Sequence, residues 1–291
     1  MRNRVISGKT RVCGVIGDPI EHTMSPVMHN AAFSELGIDY VYLPFRVRKK
    51  ELGEAIAGAR ALNLAGLNVT IPHKVSVISF LDELDPLAEK IGAVNTIVNN
   101  NGVFRGYNTD ATGFLQALLD KGVKPADKKV VILGAGGASR GISFILAESG
   151  ANLVILNRQL EMTWAENLAR EISQVFEKET KALELNDENL VMVLEGADIL
   201  VNATSVGMSP DIDKTPVPTR LLRSTPVVFD IVYNPIQTRL RRGAQAAGAK
   251  TISGLDMLAW QGALAFEKWT GLKAPLELMK KEAIKALESE K

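Results

Sequence analysis

An α/β fold in two domains is predicted for this chain by three features of its sequence. Short apolar runs alternate with longer helical patterns. A glycine-rich turn joins one such run to one such helix near the middle of the chain. The length, 291 residues, suits two ordinary domains better than one small module. Hydrophobic residues make up 46% and charged residues 23%, which excludes wholesale disorder. Lys plus Arg number 34 against 33 Asp plus Glu, so a broadly basic nucleic-acid surface is not expected. One cysteine permits no internal disulfide, and three histidines leave little for a metal cage. Both counts fit a reduced cytoplasm. No apolar run approaches the roughly 18 residues of a membrane span, and the opening MRNRVISGKTRV lacks the apolar stretch of a signal peptide.

Residues 12–16 read as a buried strand, followed by a helix over 26–36. Ser25-Pro26 has the form of a hydroxyl N-cap followed by proline at the first helical position. A strand over 40–45, a helix over 49–62 and a strand over 66–69 follow, a rhythm that predicts a mostly parallel sheet. After Asp110 the rhythm restarts: a helix over 112–121, a polar connector over 122–128, a strand over 130–133, a helix over 137–149 and a strand over 153–156. Residues 199–201 and 227–232 are later strands. Helices over 254–270 and 275–289 close the chain, and pattern alone assigns them to neither domain. A hinge near 110–125 is expected.

Gly134-Ala135-Gly136-Gly137-Ala138-Ser139 follows an apolar strand and opens a helix, the context a dinucleotide fingerprint requires. Gly134 permits the tight turn, and Gly136 lets the backbone approach a pyrophosphate at the positive helix end. Ser139 stands where Gly or Ala is usual. The next strand ends in Asn157-Arg158 rather than in the carboxylate of an NAD site. A guanidinium suits a ribose 2′-phosphate, so NADP is favoured. Gly8-Lys9-Thr10 resembles the end of a P-loop, but Asn3 occupies its first glycine position and a strand, not a helix, follows.

The first domain carries polar clusters at its predicted strand ends, where open α/β sheets bind ligands. They are His22-Thr23-Met24-Ser25, Asn68-Val69-Thr70-Ile71-Pro72-His73-Lys74, Gly92-Ala93-Val94-Asn95-Thr96 and Tyr107-Asn108-Thr109-Asp110. Hydride transfer to a ketone needs a proton source, and a positioned Lys–Asp pair supplies one.

These clusters, together with Gly17-Asp18-Pro19-Ile20-Glu21 before them and residues 134–140, 202–208, 230–235 and 254–261 after them, resemble the shikimate dehydrogenase family in family order. The resemblance implies a substrate domain of residues 1–111 plus 255–291, a Rossmann-type NADP domain of residues 112–254, and a cleft between them. It implies reversible reduction of 3-dehydroshikimate to shikimate on the route to chorismate and the aromatic amino acids. Lys74 and Asp110 are then the catalytic pair. Thr23 and Ser25, assisted by Tyr233, hold the substrate carboxylate; Thr70, Asn95 and Gln261 contact the ring hydroxyls. Gly134, Ala135, Gly136, Gly137 and Ala138 cradle the cofactor, with Asn157 and Arg158 at the adenosine phosphate and Thr204, Gly254 and Met257 completing its site. The expected partners are shikimate and 3-dehydroshikimate, with no nucleic acid and no membrane; a homodimer is allowed.

Three positions depart from the family pattern. Thr23 replaces a commoner serine, Gln159 stands where threonine usually follows Asn-Arg, and Met162 where a second basic residue is frequent. The last two remove phosphate contacts. An NAD-using quinate/shikimate dehydrogenase and a non-catalytic shikimate sensor are the alternatives. Asn157-Arg158 speaks against the first, and the joint presence of Lys74 and Asp110 against the second. Of the remaining features, Cys13 reads as a packed thiol. His22, His29 and His73 read as loop-fixing hydrogen-bond partners, Trp260, Phe266 and Trp269 as core, and residues 280–291 as a solvated helix end.

Overall fold

The computed structural model describes residues 6–289. The chain divides into two compact units, Met1–Gly113 with Leu258–Lys291, and Phe114–Met257. The first begins with β1 (Arg11–Gly17), α1 (Ser25–Glu35), β2 (Tyr40–Arg46), α2 (Leu52–Ala61) and β3 (Gly66–Val69). It continues through β4 (Glu83–Leu84), α3 (Pro86–Ile91), β5 (Thr96–Asn100), β6 (Val103–Tyr107) and α4 (Thr109–Asp120), the helix within which the first unit gives way to the second. Its sheet has the order β2-β1-β3-β5-β6-β4.

The sheet is mixed rather than parallel throughout. β1 runs parallel to β2 and β3, but β5 is antiparallel to both β3 and β6. The physical reason is the tight turn Asn101-Gly102 with positive φ at both residues, 54° and 92°, which reverses the chain between β5 and β6. α1 also departs from expectation. Met24 is its N-cap and Ser25 its first residue, with no side-chain cap; the Ser25 hydroxyl is turned instead to the phenol of Tyr42. The helix expected over 49–62 opens with a 3-10 turn, Lys49–Glu51. α4 starts three residues early because the Asn108 carboxamide accepts from Ala111 N at 3.0 Å. One face of the sheet packs Ile16, Leu67, Val69, Ile97 and Phe104 against Leu52 and Ile56 of α2.

The second unit contains β7 (Lys129–Leu133), α5 (Gly137–Glu148), β8 (Asn152–Asn157), α6 (Met162–Phe176) and β9 (Lys181–Glu184). The return half is α7 (Asp187–Leu194), β10 (Ile199–Asn202), β11 (Val227–Asp230), α8 (Arg239–Ala246) and β12 (Lys250–Ser253). The strand order is β12-β11-β10-β7-β8-β9, with every neighbouring pair parallel. That is the Rossmann-type arrangement: the chain winds outward from β7 to β9 and then returns to place β10 on the other side of β7. The strand expected over 227–232 ends at Asp230, whose carboxylate turns back to accept from Val232 N at 3.1 Å.

Two helices complete the chain, α9 (Gly254–Thr270) and α10 (Leu276–Ser289). From Leu258 onward they belong to the first unit, where α10 packs on α1 through Met279, Ala283 and Leu287. The last helix therefore has a buried face beside its solvated one. Trp269 locks α9 to the sheet: its indole N–H donates to Ile97 O at 2.9 Å, and its own carbonyl accepts from the Tyr40 hydroxyl at 3.2 Å. Gly66 must be glycine here, because a Cβ would fall on the Trp269 ring and the Ile97 carbonyl. Among the described residues no helix is long and apolar enough to cross a membrane. Nor do these residues contain a group of three or more His, Cys, Asp or Glu side chains that could hold a metal ion. Cys13 is buried, and burial pushes its thiol pKa up.

The three histidines differ from one another. His73 does fix a loop, with Nε2 2.6 Å from Val47 O, and His22 is exposed. His29 is instead an aromatic core residue. It stacks on Tyr42 with centroids 4.4 Å apart, lies 5.2 Å from Trp269, and neither ring nitrogen has a hydrogen-bond partner. Burial pushes its pKa down from 6.5 to about 3. Between those values the unfolded chain takes up a proton that the folded chain refuses. The stability this residue contributes is thus complete above 6.5 and drains away as pH falls toward about 3. His29→Phe should keep the fold and flatten the decline of Tm with acidification; an unchanged slope would refute the assignment.

Candidate active site

Lys74 follows β3 across the turn Ile71-Pro72-His73, where His73 N donates to Thr70 O at 2.9 Å. The Lys74 carbonyl is itself tied down, accepting from Val94 N at 2.8 Å. The Lys74 Nζ meets Asp110 Oδ2 at 2.7 Å, with the two side chains 26% and 19% exposed. Asp110 sits in the first turn of α4, so the helix start capped by Asn108 aims its carboxylate at the lysine.

Beside this pair lies a buried polar ladder. The Asn95 Oδ1 accepts from Thr109 N at 2.6 Å, and its Nδ2 donates to Thr109 Oγ1 at 3.0 Å. Thr109 and Thr96 hydroxyls meet at 2.9 Å, and Asn68 Nδ2 donates to Thr96 Oγ1 at 3.0 Å. The ladder ends at Tyr42, whose hydroxyl donates to Asn68 Oδ1 at 2.7 Å and has the Ser25 side chain beside it. Burial raises the Tyr42 pKa, so it remains a phenol. Thr70 lies at the end of β3, its methyl against the Gly17 backbone. The Thr23 hydroxyl accepts from Ser25 N at 3.4 Å. Gln261 on α9 is buried, and its backbone lies so close to Gly113 that a Cβ there would be 2.7 Å from Gln261 N. The first unit therefore brings Lys74, Asp110 and Asn95 together, with Gln261 beside the helix that carries Asp110. Asn68, Thr96 and Thr109 lay in the polar clusters of the sequence but were given no role there, and Tyr42 was missed altogether. The signal was present for Asn68, a carboxamide inside the fully buried strand Gly66-Leu67-Asn68-Val69.

In the second unit Gly134 has φ +97°, and a Cβ there would lie 2.9 Å from the Thr204 methyl. Ser139 is fully buried and its hydroxyl donates to Gly134 O at 2.6 Å, so this departure closes the glycine turn rather than weakening it. Gly136 is the N-cap of α5, and a Cβ on Gly136 or Gly137 would meet nothing within 4 Å. The side-chain positions at the start of α5 thus face open space, and a helix's first N–H groups have no partner within the helix, which together fit a pyrophosphate.

Asn157 is buried and donates to Glu161 O at 2.8 Å; Arg158 is exposed, with Nη2 2.6 Å from Glu161 Oε1. The Thr204 hydroxyl is engaged within its loop, donating to Asn202 Oδ1 at 2.7 Å. Gly254 opens α9 against the Ile231 carbonyl, where no side chain fits, and Met257 is buried. Tyr233 lies in the loop after β11. That loop depends on Asp230, a buried carboxylate missed in the sequence although it ends an apolar strand. It accepts from Asn202 Nδ2 at 2.9 Å and from Thr238 Oγ1 at 2.6 Å. Burial raises its pKa.

A Rossmann-type unit with an open helix N-terminus, in one chain with a unit bearing a Lys–Asp ion pair, defines a dinucleotide-dependent dehydrogenase. Three family models match in succession: the shikimate dehydrogenase substrate binding domain at residues 15–97, shikimate/quinate 5-dehydrogenase at 117–239, and the shikimate 5′-dehydrogenase C-terminal domain at 254–284. An NADP(+) shikimate dehydrogenase of Dehalococcoides mccartyi is 48% identical, covering 96% of each chain. The Listeria monocytogenes enzyme, solved with shikimate and NAD, superposes with TM-score 0.91 at 42% identity, covering 96% of this chain and 98% of that one. The Thermus thermophilus enzyme, solved with NADP(H) and shikimate, gives 0.85 at 37%, covering 95% and 100%. The chain belongs to the shikimate dehydrogenase family.

Asp230→Ala strands the Asn202 and Thr238 donors in the interior and should lower unfolding stability by more than about 2 kcal/mol, read by urea denaturation. A loss within about 0.5 kcal/mol, the scale of an ordinary surface change, would sink the anchoring role.

Proposed function

We infer that the chain catalyses the reversible NADPH-dependent reduction of 3-dehydroshikimate to shikimate, on the route to chorismate and the aromatic amino acids. The observation that carries this reading is the Lys74–Asp110 pair at 2.7 Å beside the buried Asn95 carboxamide, in a unit matched by the family's substrate-binding model. When bound, the nicotinamide supplies the hydride to the C3 carbonyl carbon. Lys74 gives a proton from its ammonium to the oxygen that becomes the new hydroxyl, and solvent returns that proton to the amine afterwards. Asp110 accepts a hydrogen bond from the same hydroxyl and holds Lys74 in place. Thr23 and Ser25, with Tyr233, bind the substrate carboxylate through hydroxyl donors, because several aligned neutral donors suffice for one charge. Thr70, Asn95 and Gln261 receive the ring hydroxyls; the Asn95 amide has one N–H beyond its bond to Thr109.

For the cofactor, Gly134, Ala135, Gly136, Gly137 and Ala138 present the α5 N-terminus to the pyrophosphate. Asn157 and Arg158 face the adenosine ribose and its 2′-phosphate. Thr204, Gly254 and Met257 serve the nicotinamide half. The compartment is the cytoplasm, a reading supported by the single, buried thiol.

A steady-state comparison of shikimate and quinate, each with NADP and with NAD, tests the assignment: shikimate with NADP should be the best pair. Preference for quinate, or ligand binding without nicotinamide reduction, would overturn it. Lys74→Ala should cut turnover by about 10²–10⁴-fold while changing the shikimate KM much less. Near-normal turnover would remove Lys74 from the mechanism.

A further inference from the structure

The corner of the second unit that carries Arg158 is acidic as well as basic. The Arg158 guanidinium is 71% exposed and is held by Glu161 Oε1 at 2.6 Å, while the Glu161 side chain is only 24% exposed. The carboxylate is therefore the more enclosed member of the pair and the guanidinium the more exposed one. Backbone geometry keeps Glu161 there: its carbonyl accepts from Asn157 Nδ2 at 2.8 Å, and its amide donates to Arg158 O at 2.9 Å. The next side chain repeats the arrangement. Gln159, with its amide nitrogen turned to the β9 end, donates to Glu184 Oε1 at 3.0 Å. Met162 opens α6 with a thioether and adds no positive charge.

We propose that Glu161 is a specificity-determining residue that holds down the preference for a 2′-phosphorylated cofactor. The proposal rests on the assignment of Arg158 to the adenosine phosphate. A 2′-phosphate brings about two negative charges, as any phosphomonoester does near neutral pH. Bound by Arg158, it either shares the guanidinium with Glu161 or displaces it, and in both cases it lies beside that carboxylate. A ribose with a free 2′-hydroxyl meets neither obstacle, and can donate that hydroxyl to the same carboxylate. Discrimination between the two cofactors is thus set by the balance of Arg158 and Glu161, not by Arg158 alone.

Calorimetric titration of the full chain with 2′,5′-ADP and with 5′-AMP tests this without turnover, since the probes differ only in the 2′-phosphate. Glu161→Gln should tighten 2′,5′-ADP about three- to tenfold, as expected for freeing one exposed charge pair and removing one repulsion, and leave 5′-AMP within about twofold. The gain should shrink with added salt. Glu161→Ser, which also removes the charge, should act in the same direction and guards against a local effect of the glutamine amide. Unchanged 2′,5′-ADP affinity in both variants, or equal tightening of the two probes, would overturn the proposal. If wild-type protein binds 2′,5′-ADP as described but does not oxidise shikimate, the functional reading fails and this one stands.

Discussion

Asn95 is the side chain on which the first unit's site depends. It is buried, so each of its polar atoms must find a partner inside the protein. Thr109 supplies them, with a backbone N–H at 2.6 Å and a hydroxyl. The Asn95 backbone is equally committed, donating to Tyr107 O at 3.0 Å and accepting from Val69 N at 2.8 Å. One residue thereby pins the end of β3, the start of β5, the end of β6 and the first turn of α4. Those are the segments that carry Thr70, Lys74 and Asp110. A buried hydrogen-bonded network is rigid, because displacement leaves a polar group unpaired in a medium of low dielectric. The ion pair between Lys74 and Asp110 stands on the segments that this network holds.

The second unit uses the same device at a different place. Asn202 ends β10 and Asp230 ends β11, and the bond between them at 2.9 Å joins the loops that follow both strands. Around the glycine turn the constraint is steric as well. Gly134 has no room for a side chain beside Thr204, Ser139 seals the turn from inside, and Gly136 and Gly137 leave the helix end open. The near-neutral net charge of +1 is consistent with this construction. A helix end offers an anion backbone N–H groups rather than charged side chains, so such a site leaves almost no trace in the composition.

Much of the molecule was legible in the sequence, for identifiable reasons. The central Rossmann-type strands are mostly buried runs of Val, Ile and Leu, a pattern that needs no partner to be recognised, and β7, β8 and β10 fall within a residue of expectation, whereas the more polar, part-exposed β9 and β12 were missed. Lys74 and Asp110 could be paired because each closes a polar cluster at a strand end. The antiparallel return of β5 and β6 was missed even though Asn101-Gly102 is a strong hairpin signal. His29 was misjudged because polarity suggests hydrogen bonding, whereas its neighbours Tyr42, Phe266 and Trp269 make it an aromatic ring among rings. Ser25 looked like a helix cap because capping is a local rule; its neighbour Tyr42 comes from β2, outside the reach of that rule.

The sequence by itself determined the α/β class, the glycine turn and the family. These are properties of local pattern: burial periodicity, φ-permissive glycines and residue types at short spacing. Only the tertiary structure decided which polar groups meet. It set Tyr42 against Ser25, Thr109 against Asn95, Asp230 against Asn202 and Glu161 against Arg158. Most of those partners lie on different elements, and Arg158–Glu161 is a choice among rotamers that a three-residue spacing allows but does not compel. A hydrogen bond depends on distances of a few tenths of an ångström. Distances of that kind exist only once the strands have paired and the core has closed.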